Sequence, residues 1–416
     1  MRTKKSAKAF ETAKRYMPFG VNSNYRLLDP YPLYVHRAKG SRIWDVDGNE
    51  YIDFNMAFGA LVAGHSHPIL AKAMRERVAN GTIYGFEGED AAPLAAHMCK
   101  RFDIDRIKFS NTGLEGTLFS IRLARGVTGR TKIMKFEGCY HGSHDSLMVS
   151  IKPTPERQGD PRRPTAVPSS KGLLPELTKN TVIAPFNDLA ATQALVRENA
   201  DDLAGIILEP IPMNMGFILP KPGFLEGLRD AAEESGAVLI FDEVKTGVVI
   251  AYGGATEYFG IQPDLFCLAK SIGGGTPIGA FGGREEVMRV IEGGAKAPML
   301  EAGVGHSSFG GTTRVAHMGT MNGSPLTMAA ALAVLTKVLT PDVYPRLQAM
   351  GDRLTAGSQA IVDEFGLPGY AVNVGPKGIV MFTPQRVTNY RDFLGLDDEL
   401  DRYLAVFREW AVEVTG

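Results

Sequence analysis

Two short apolar runs near the middle of the chain constrain its fold more than any other feature. Residues 237–241 (AVLIF) and 265–269 (LFCLA) are rich in aliphatic side chains and are bounded by charged or turn-forming residues. Apolar runs of this length are typical of strands buried on both faces of a parallel sheet. From about residue 90 to residue 300 such runs alternate with helical segments. This alternation predicts an α/β fold with a mostly parallel sheet and crossover helices.

A charged residue follows each of these two runs. Asp242 comes directly after the first, Lys270 directly after the second, and a run of three glycines begins at Gly273. Because ligands of open α/β sheets bind beyond the carboxyl ends of the strands, we expect the carboxylate and the amine to meet there. A lysine can form a Schiff base with an aldehyde cofactor, and an aspartate can hold a pyridine nitrogen protonated. Singly, each residue would more often be a helix cap or a surface charge, so the prediction depends on both.

A turn that can bind an anion is predicted at residues 111–113. Asn111, Thr112 and Gly113 lie between a strand candidate and an amphipathic helix within 106–129. The first N–H groups of a helix are free donors at the positive end of its dipole. The alternative is a capped helix without a ligand.

A third candidate turn, within residues 132–145, follows another predicted strand. It carries Tyr140 and His141, and the ring of Tyr140 is able to stack on a planar ligand. Cys139, His141 and His144 also raise the alternative of a metal site, but no fourth ligand lies nearby in the sequence and we expect no metal.

Composition narrows the possible partners and compartment. There are 45 basic and 46 acidic residues, so no nucleic-acid-binding field is expected. No apolar run reaches the roughly 20 residues needed to span a membrane, and the basic start of the chain lacks the apolar region of a signal peptide. Three cysteines without CxxC spacing are typical of a reducing compartment. We expect a cytoplasmic protein.

Other catalytic motifs fit the sequence less well. GHSHP (64–68) superficially resembles the GxSxG turn of serine hydrolases, but its last residue is proline and no apolar strand precedes it. No GxGxxG or GxxxxGK[ST] run occurs, which disfavours dinucleotide-binding and P-loop folds.

The joint occurrence of FDEV (241–244) and LAKSIGGG (268–275) resembles the class III, fold type I, pyridoxal-phosphate-dependent aminotransferases. Within them the chain is most similar to the glutamate-1-semialdehyde 2,1-aminomutases and the β-amino-acid transaminases. The resemblance implies pyridoxal 5'-phosphate as cofactor, a large domain with a seven-stranded, mostly parallel sheet and a small α+β domain. It also implies a homodimer with shared active sites.

The resemblance assigns roles to further residues of this sequence. Lys270 and Asp242 are the implied catalytic residues, and Tyr140 is expected to stack on the cofactor ring. The implied cofactor-binding set is Gly113, Leu114, Tyr140, His141, Glu209, Asn214, Asp242, Val244, Lys270 and, from a neighbouring subunit, Thr320. Leu114 stands where the family usually has a threonine, so backbone donors must replace that hydroxyl at the phosphate.

Arg26 is the candidate for the substrate carboxylate. GVNSNYR (20–26) resembles the aminomutase segment GVNSPVR, whose arginine holds the acid group of the substrate. A guanidinium matches a carboxylate with two parallel hydrogen bonds. The alternative is a solvated arginine paired with Asp29.

The predicted domains are a large one over residues 60–324 and a small one formed by 1–59 with 325–416. Family members continue for a few tens of residues, so the C-terminal part of the small domain is expected to be incomplete. We expect amino transfer between a carboxylate-bearing amino acid, β- and γ-amino acids included, and a keto acid. The alternatives are intramolecular transfer of the aminomutase type and a non-catalytic relative, which would be expected to lose Lys270 or Asp242. The altered phosphate turn, Ser271 and the long 293–311 stretch favour transfer between molecules.

Overall fold

A seven-stranded sheet organises the computed structural model, which describes residues 3–292 and 314–394. The strands are β1 (Val35–Lys39), β2 (Arg42–Asp45), β3 (Glu50–Ile52), β4 (Arg106–Ser110), β5 (Lys132–Phe136), β6 (Gly159–Asp160), β7 (Arg163–Pro164), β8 (Thr181–Ala184), β9 (Leu203–Leu208), β10 (Val238–Asp242), β11 (Leu265–Ala269), β12 (Gly279–Gly283), β13 (Tyr370–Val374) and β14 (Lys377–Met381). The helices are α1 (Lys4–Tyr16), α2 (Met56–Gly59), α3 (Pro68–Ala79), α4 (Ala91–Phe102), α5 (Gly113–Thr128), α6 (Pro175–Lys179), α7 (Leu189–Asn199), α8 (Phe224–Ser235), α9 (Gly247–Ile250), α10 (Gly254–Phe259), α11 (Glu285–Met288), α12 (Pro325–Lys337), α13 (Tyr344–Glu364) and α14 (Tyr390–Leu394).

The order of strands in this sheet is β4–β12–β11–β10–β9–β5–β8. Strand β12 is antiparallel to both of its neighbours, whereas the other pairs are parallel. The predicted mostly parallel, seven-stranded sheet is therefore confirmed. The two apolar runs become the adjacent strands β10 and β11, with Asp242 in register with Cys267. Asp242 and Lys270 consequently lie at neighbouring carboxyl ends.

Burial on both faces explains the uniformly apolar strands. Every residue of β9, β10 and β11 is buried. Along β10, Leu239 and Phe241 belong to one core cluster, whereas Val238 and Ile240 belong to the other. Successive side chains of a strand point to opposite faces, so each face of the sheet carries its own apolar layer beneath helices.

The smaller elements match most of the predicted ones. The alternating residues 41–46 and 51–54 around the DGN turn (47–49) predict a hairpin, which the structure forms as β2–β3. The mostly exposed strand β1 adds a third strand that this pattern did not reveal. Residues 151–180, whose prolines and charges predict a long loop, contain the short β6–β7 hairpin and α6. A helix that the sequence predicts at 397–411 and the 293–311 stretch lie outside the described residues. The division into domains at residues 60 and 324 stays a prediction.

Three further features concern membrane-spanning helices, metal-binding groups and cysteines. Within residues 3–292 and 314–394, no single helix is long and apolar enough to span a membrane; the bent pair Pro325–Lys337 and Pro341–Glu364 passes only jointly, by length and composition. The same part of the chain holds no group of three or more His, Cys, Asp or Glu side chains suited to a metal. Cys99, Cys139 and Cys267 are all free.

Candidate active site

Asp242 is a buried carboxylate at the carboxyl end of β10. Its side chain is 4% exposed, and one oxygen, Oδ2, lies 2.7 Å from Nδ1 of His141. The other, Oδ1, accepts a hydrogen bond from the backbone N–H of Val244 at 3.0 Å. His141 comes from the turn after β5, two strands away in the sheet. The contact joins two of the turns that the sequence singled out.

Lys270 follows β11 in a strained conformation. Its backbone φ is +53°, in the left-handed region that residues with side chains rarely adopt. Burial lowers the pKa of its amine to about 8, and the charge of Lys245 adds to this effect, while Asp242 and Glu209 oppose it. Strain of this kind persists where the surrounding structure enforces it, often at active sites. The result is an amine that is partly neutral near neutral pH.

Helix α5 begins with two unused backbone donors. A capping box holds its first turn: Thr112 Oγ1 accepts from the Glu115 N–H, and Glu115 accepts from the N–H groups of Asn111 and Thr112. Within the described residues, the N–H groups of Gly113 and Leu114 have no acceptor. A side chain at Gly113 would press on Val244, with an added Cβ at 2.9 Å from its Cγ2. These donors are suited to an anion such as a phosphate.

Glu209 holds two neighbouring segments in place. Its Oε1 accepts from the backbone N–H of Tyr140 at 2.9 Å, and its Oε2 forms an ion pair with Lys245 Nζ at 2.7 Å. The Tyr140 ring meets the Tyr25 ring edge-on, with centroids 6.4 Å apart. Glu209 therefore fixes both the aromatic turn after β5 and the loop after β10.

These elements enclose a cavity of about 330 Å³ at the carboxyl edge of the sheet. Most of the predicted site residues line it: Gly113, Leu114, Tyr140, His141, Glu209, Asp242, Val244 and Lys270. Three do not. Asn214 and Thr320 are exposed outside it, and Arg26 is exposed in the loop that carries Tyr25. The structure thus brings the strand-end residues together but leaves these three apart.

Arg26 nevertheless lies next to the site through its neighbour in the sequence. The ring of Tyr25 lies 6.1 Å from that of Phe58 and also meets Tyr140. No ion pair joins Arg26 to Asp29 in the part of the chain that the structure describes. The loop that carries Arg26 therefore adjoins the cavity wall at Tyr140.

Two site lysines were missed in the sequence. Lys245, three residues after Asp242, lines the cavity and could have been recognised by its position after a catalytic strand. Lys377 gave no such signal, because it lies in the distant β13–β14 hairpin. Its Nζ donates to the backbone oxygen of Lys245 at 2.8 Å.

Comparisons with known proteins agree with this geometry. Residues 25–365 match the family model described as "Aminotransferase class-III". The chain belongs to the class III aminotransferases. It is 40% identical to glutamate-1-semialdehyde 2,1-aminomutase 2 of Exiguobacterium sp., over 93% of this chain and 84% of that protein.

Solved structures of two such proteins superpose closely on this one. An omega-transaminase from Sphaerobacter thermophilus is 35% identical, with a TM-score of 0.86 over 93% of this chain and 85% of that one. A glutamate-1-semialdehyde aminomutase variant from Pseudomonas aeruginosa PAO1, in complex with PMP, is 27% identical, with a TM-score of 0.83 over 94% and 83%. The fold is therefore that of the fold type I transaminases, and this class III enzyme uses pyridoxal phosphate.

The cavity fits this cofactor in its chemistry. Lys270 offers an amine for the aldehyde, Asp242 a carboxylate for the ring nitrogen, and Gly113 and Leu114 free N–H groups for the phosphate. Leu114 lacks the hydroxyl that the family usually has here, but the two backbone donors remain free, because the capping box uses other groups.

The lowered pKa of Lys270 predicts unusual amine reactivity in the cofactor-free protein. Reductive methylation by formaldehyde and cyanoborohydride, followed across pH by mass spectrometry, is expected to show a midpoint at about 8 for Lys270. Asp242→Asn should lower the Lys270 midpoint further, because the negative charge that stabilises the protonated amine is removed. A Lys270 midpoint at the ordinary lysine value of about 10.4 would contradict this prediction.

Proposed function

We propose that the protein is an aminotransferase that moves an amino group between an amino acid and a keto acid. The observation that carries the proposal is the convergence of the Lys270 amine, the buried Asp242 carboxylate and the free N–H groups of Gly113 and Leu114 on one cavity. Pyridoxal phosphate supplies an aldehyde that accepts the amino group and a ring that withdraws electrons. The protein must bind the cofactor, orient the substrate against it and transfer protons.

Lys270 and Asp242 have the two chemical roles in this proposal. Lys270 Nζ would hold the aldehyde, and as a free amine it would take a proton from the substrate carbon and return one. An amine whose pKa is near 8 suits both directions of this transfer, since both of its protonation states are accessible near neutral pH. Asp242 keeps the ring nitrogen protonated, and His141 and the Val244 N–H hold its carboxylate in one orientation.

The remaining wall residues position the cofactor. Gly113 and Leu114 bind the phosphate through backbone N–H groups, and Tyr140 and Val244 cover the ring. Glu209 acts indirectly, because it orients Tyr140 through the backbone N–H. For Asn214, whose side chain is exposed, cofactor binding stays a prediction.

The assay that tests the function combines a substrate screen with two variants. Amino donors are incubated with pyruvate or 2-oxoglutarate, and a parallel assay without keto acid measures transfer within glutamate 1-semialdehyde. Transfer to a keto acid should depend on Lys270, and Lys270→Ala should retain no cofactor after borohydride reduction. Asp242→Asn should lower kcat/KM by at least about 10²-fold, because a neutral ring withdraws electrons less.

Asp188→Asn is the matched control for the second variant. Asp188 caps helix α7, and asparagine caps equally well, so its activity should equal that of the wild type. Wild-type turnover in Asp242→Asn would refute the role of this carboxylate. Transfer seen only without keto acid would favour the aminomutase, which the 40% identical relative supports as the second candidate.

We assign the substrate carboxylate to Arg26. Arg26→Leu should raise KM for amino acids by about 10- to 100-fold, the loss expected for a charge-assisted hydrogen bond. Amines without an acid group should keep their KM. Arg353→Leu, an exposed arginine on α13, is the control. Equal losses for acids and simple amines would instead assign Arg26 to the folding of its loop.

A homodimer is part of the proposal. Thr320 is exposed on a turn whose Ser324 Oγ donates to the Thr82 backbone oxygen. Around these two segments lie exposed apolar side chains: Ile83, Tyr84, Phe86, Met318 and Met321. An exposed apolar group beside a residue expected to bind a neighbour's phosphate supports an interface between two copies.

Charge placed in this patch should separate the copies. Phe86 is 90% exposed in the single chain, and Phe86→Asp should shift sedimentation from dimer to monomer and lower activity by at least about tenfold. Phe365→Asp, 69% exposed at the end of α13, should leave the dimer intact. A fully active wild-type monomer would exclude the shared site.

A further inference from the structure

Lys377 is a lysine next to the proposed active site, and no carboxylate pairs with it in the part of the chain that the structure describes. Its Nζ makes one hydrogen bond within the described residues, to the Lys245 backbone oxygen. An ammonium has three N–H donors, so two remain available. Among the charged groups nearby, Lys245 is paired with Glu209, and Asp242 with His141. Neither carboxylate contacts Lys377 within the described residues, and both are already engaged by other groups.

The chain places Lys377 beside the reactive lysine by way of Gly59. An added Cβ at Gly59 would lie 2.6 Å from Lys377 Nζ, so the ammonium rests against this residue. The Gly59 backbone oxygen in turn accepts from Ser271 Oγ at 2.8 Å, and Ser271 directly follows Lys270. Burial, followed by the charges of Lys270 and Lys245, lowers the pKa of Lys377 to about 7. An anion at Lys377 would stabilise its charged form.

The turn that precedes Gly59 is strained. Met56, Ala57 and Phe58 of α2 all have positive φ, between 45° and 56°. Left-handed conformations are unfavourable for residues with a side chain. Such strain is concentrated at sites that bind ligands. The same turn contacts Tyr25 through Phe58, so the segments carrying Arg26 and Lys377 both adjoin it.

We propose that Lys377 binds a second acid group of the substrate, so that the enzyme prefers amino dicarboxylic acids and the matching keto dicarboxylic acids. The inference rests on the proposed aminotransferase function, in which Arg26 binds the first carboxylate. The segments that carry Arg26 and Lys377 adjoin the same turn from opposite ends of the chain, and together they provide one cation for each acid group. The two free N–H donors of Lys377 bind the second carboxylate through charge-assisted hydrogen bonds.

Binding of unreactive anions to the cofactor-loaded enzyme tests this site. Glutarate has two acid groups and butyrate one, and neither has an amino or keto group, so calorimetry reads binding without amino transfer. The wild type should bind glutarate at least about tenfold more tightly than butyrate. Lys377→Gln keeps a donor for the Lys245 oxygen but loses the charge. This variant should bind glutarate about 10- to 100-fold more weakly than the wild type, and its affinity for butyrate should stay within about twofold.

Two variants serve as controls. Lys377→Arg keeps the charge and should keep the preference for glutarate; if Lys377→Gln does not load cofactor, loss of the preference in Lys377→Arg overturns the proposal. Lys171→Gln, at an exposed lysine, should bind both anions as the wild type does.

Three results would overturn the inference. These are equal wild-type affinities for the two anions, equal weakening of both in Lys377→Gln, and unchanged affinities with a shifted pH dependence of cofactor absorbance. The last would mean that Lys377 tunes the amine of Lys270. Tight glutarate binding without amino transfer would refute the proposed function and leave the Lys377 site standing.

Discussion

A carboxylate buried at the end of β10 is the group on which the arrangement of this site depends. An ionised carboxylate taken out of water is stable only with partners, and Asp242 has two, the His141 ring and the Val244 N–H. One partner comes from beyond β9, the strand between β10 and β5. Satisfying this charge therefore ties the turn after β5 to the loop after β10, and with it Tyr140 to the cavity wall.

Further ion pairs and hydrogen bonds connect the other segments around the cavity. Glu209 joins the Tyr140 backbone to Lys245, and the Lys245 backbone oxygen accepts from Lys377. Each contact crosses from one chain segment to another, so the site is a set of linked turns on a rigid sheet. Because cations outnumber their acidic partners here, the site is prepared for anionic ligands, the phosphate of the cofactor and the acid groups proposed for the substrate.

Strain in the backbone is concentrated in the same place. Lys270 and the Met56–Phe58 turn all have positive φ, and Ser271 Oγ links the two segments through Gly59. Neither segment contains a glycine at the strained residues, so local propensity opposes both conformations. Lys270 directly follows the buried strand β11, and the side chains of Asp53 and Asn55 accept hydrogen bonds from the Met56 and Phe58 N–H groups. Such cost is consistent with a geometry maintained for ligand binding.

Much of this protein was predictable from the sequence alone. Local periodicity and helix- or strand-breaking residues predict the buried strands and the crossover helices, because strands buried on both faces need continuous apolar runs. The same signals place Asp242, Lys270 and Gly113 at strand and helix ends, where ligands of such sheets bind. Strand β1 escaped prediction because it is mostly exposed and its sequence, VHRAK, lacks an alternating apolar pattern.

Contacts between distant segments were decided only by the tertiary structure. The partners of Asp242, the clamp made by Glu209, the placement of Tyr25 over Tyr140 and the approach of Lys377 to Gly59 join residues up to 318 positions apart in the chain. No local pattern marks Lys377, since a lysine after a glycine–proline turn is ordinary in a surface hairpin. Its role depends on which groups surround its ammonium, and the packing of the folded chain alone determines that environment.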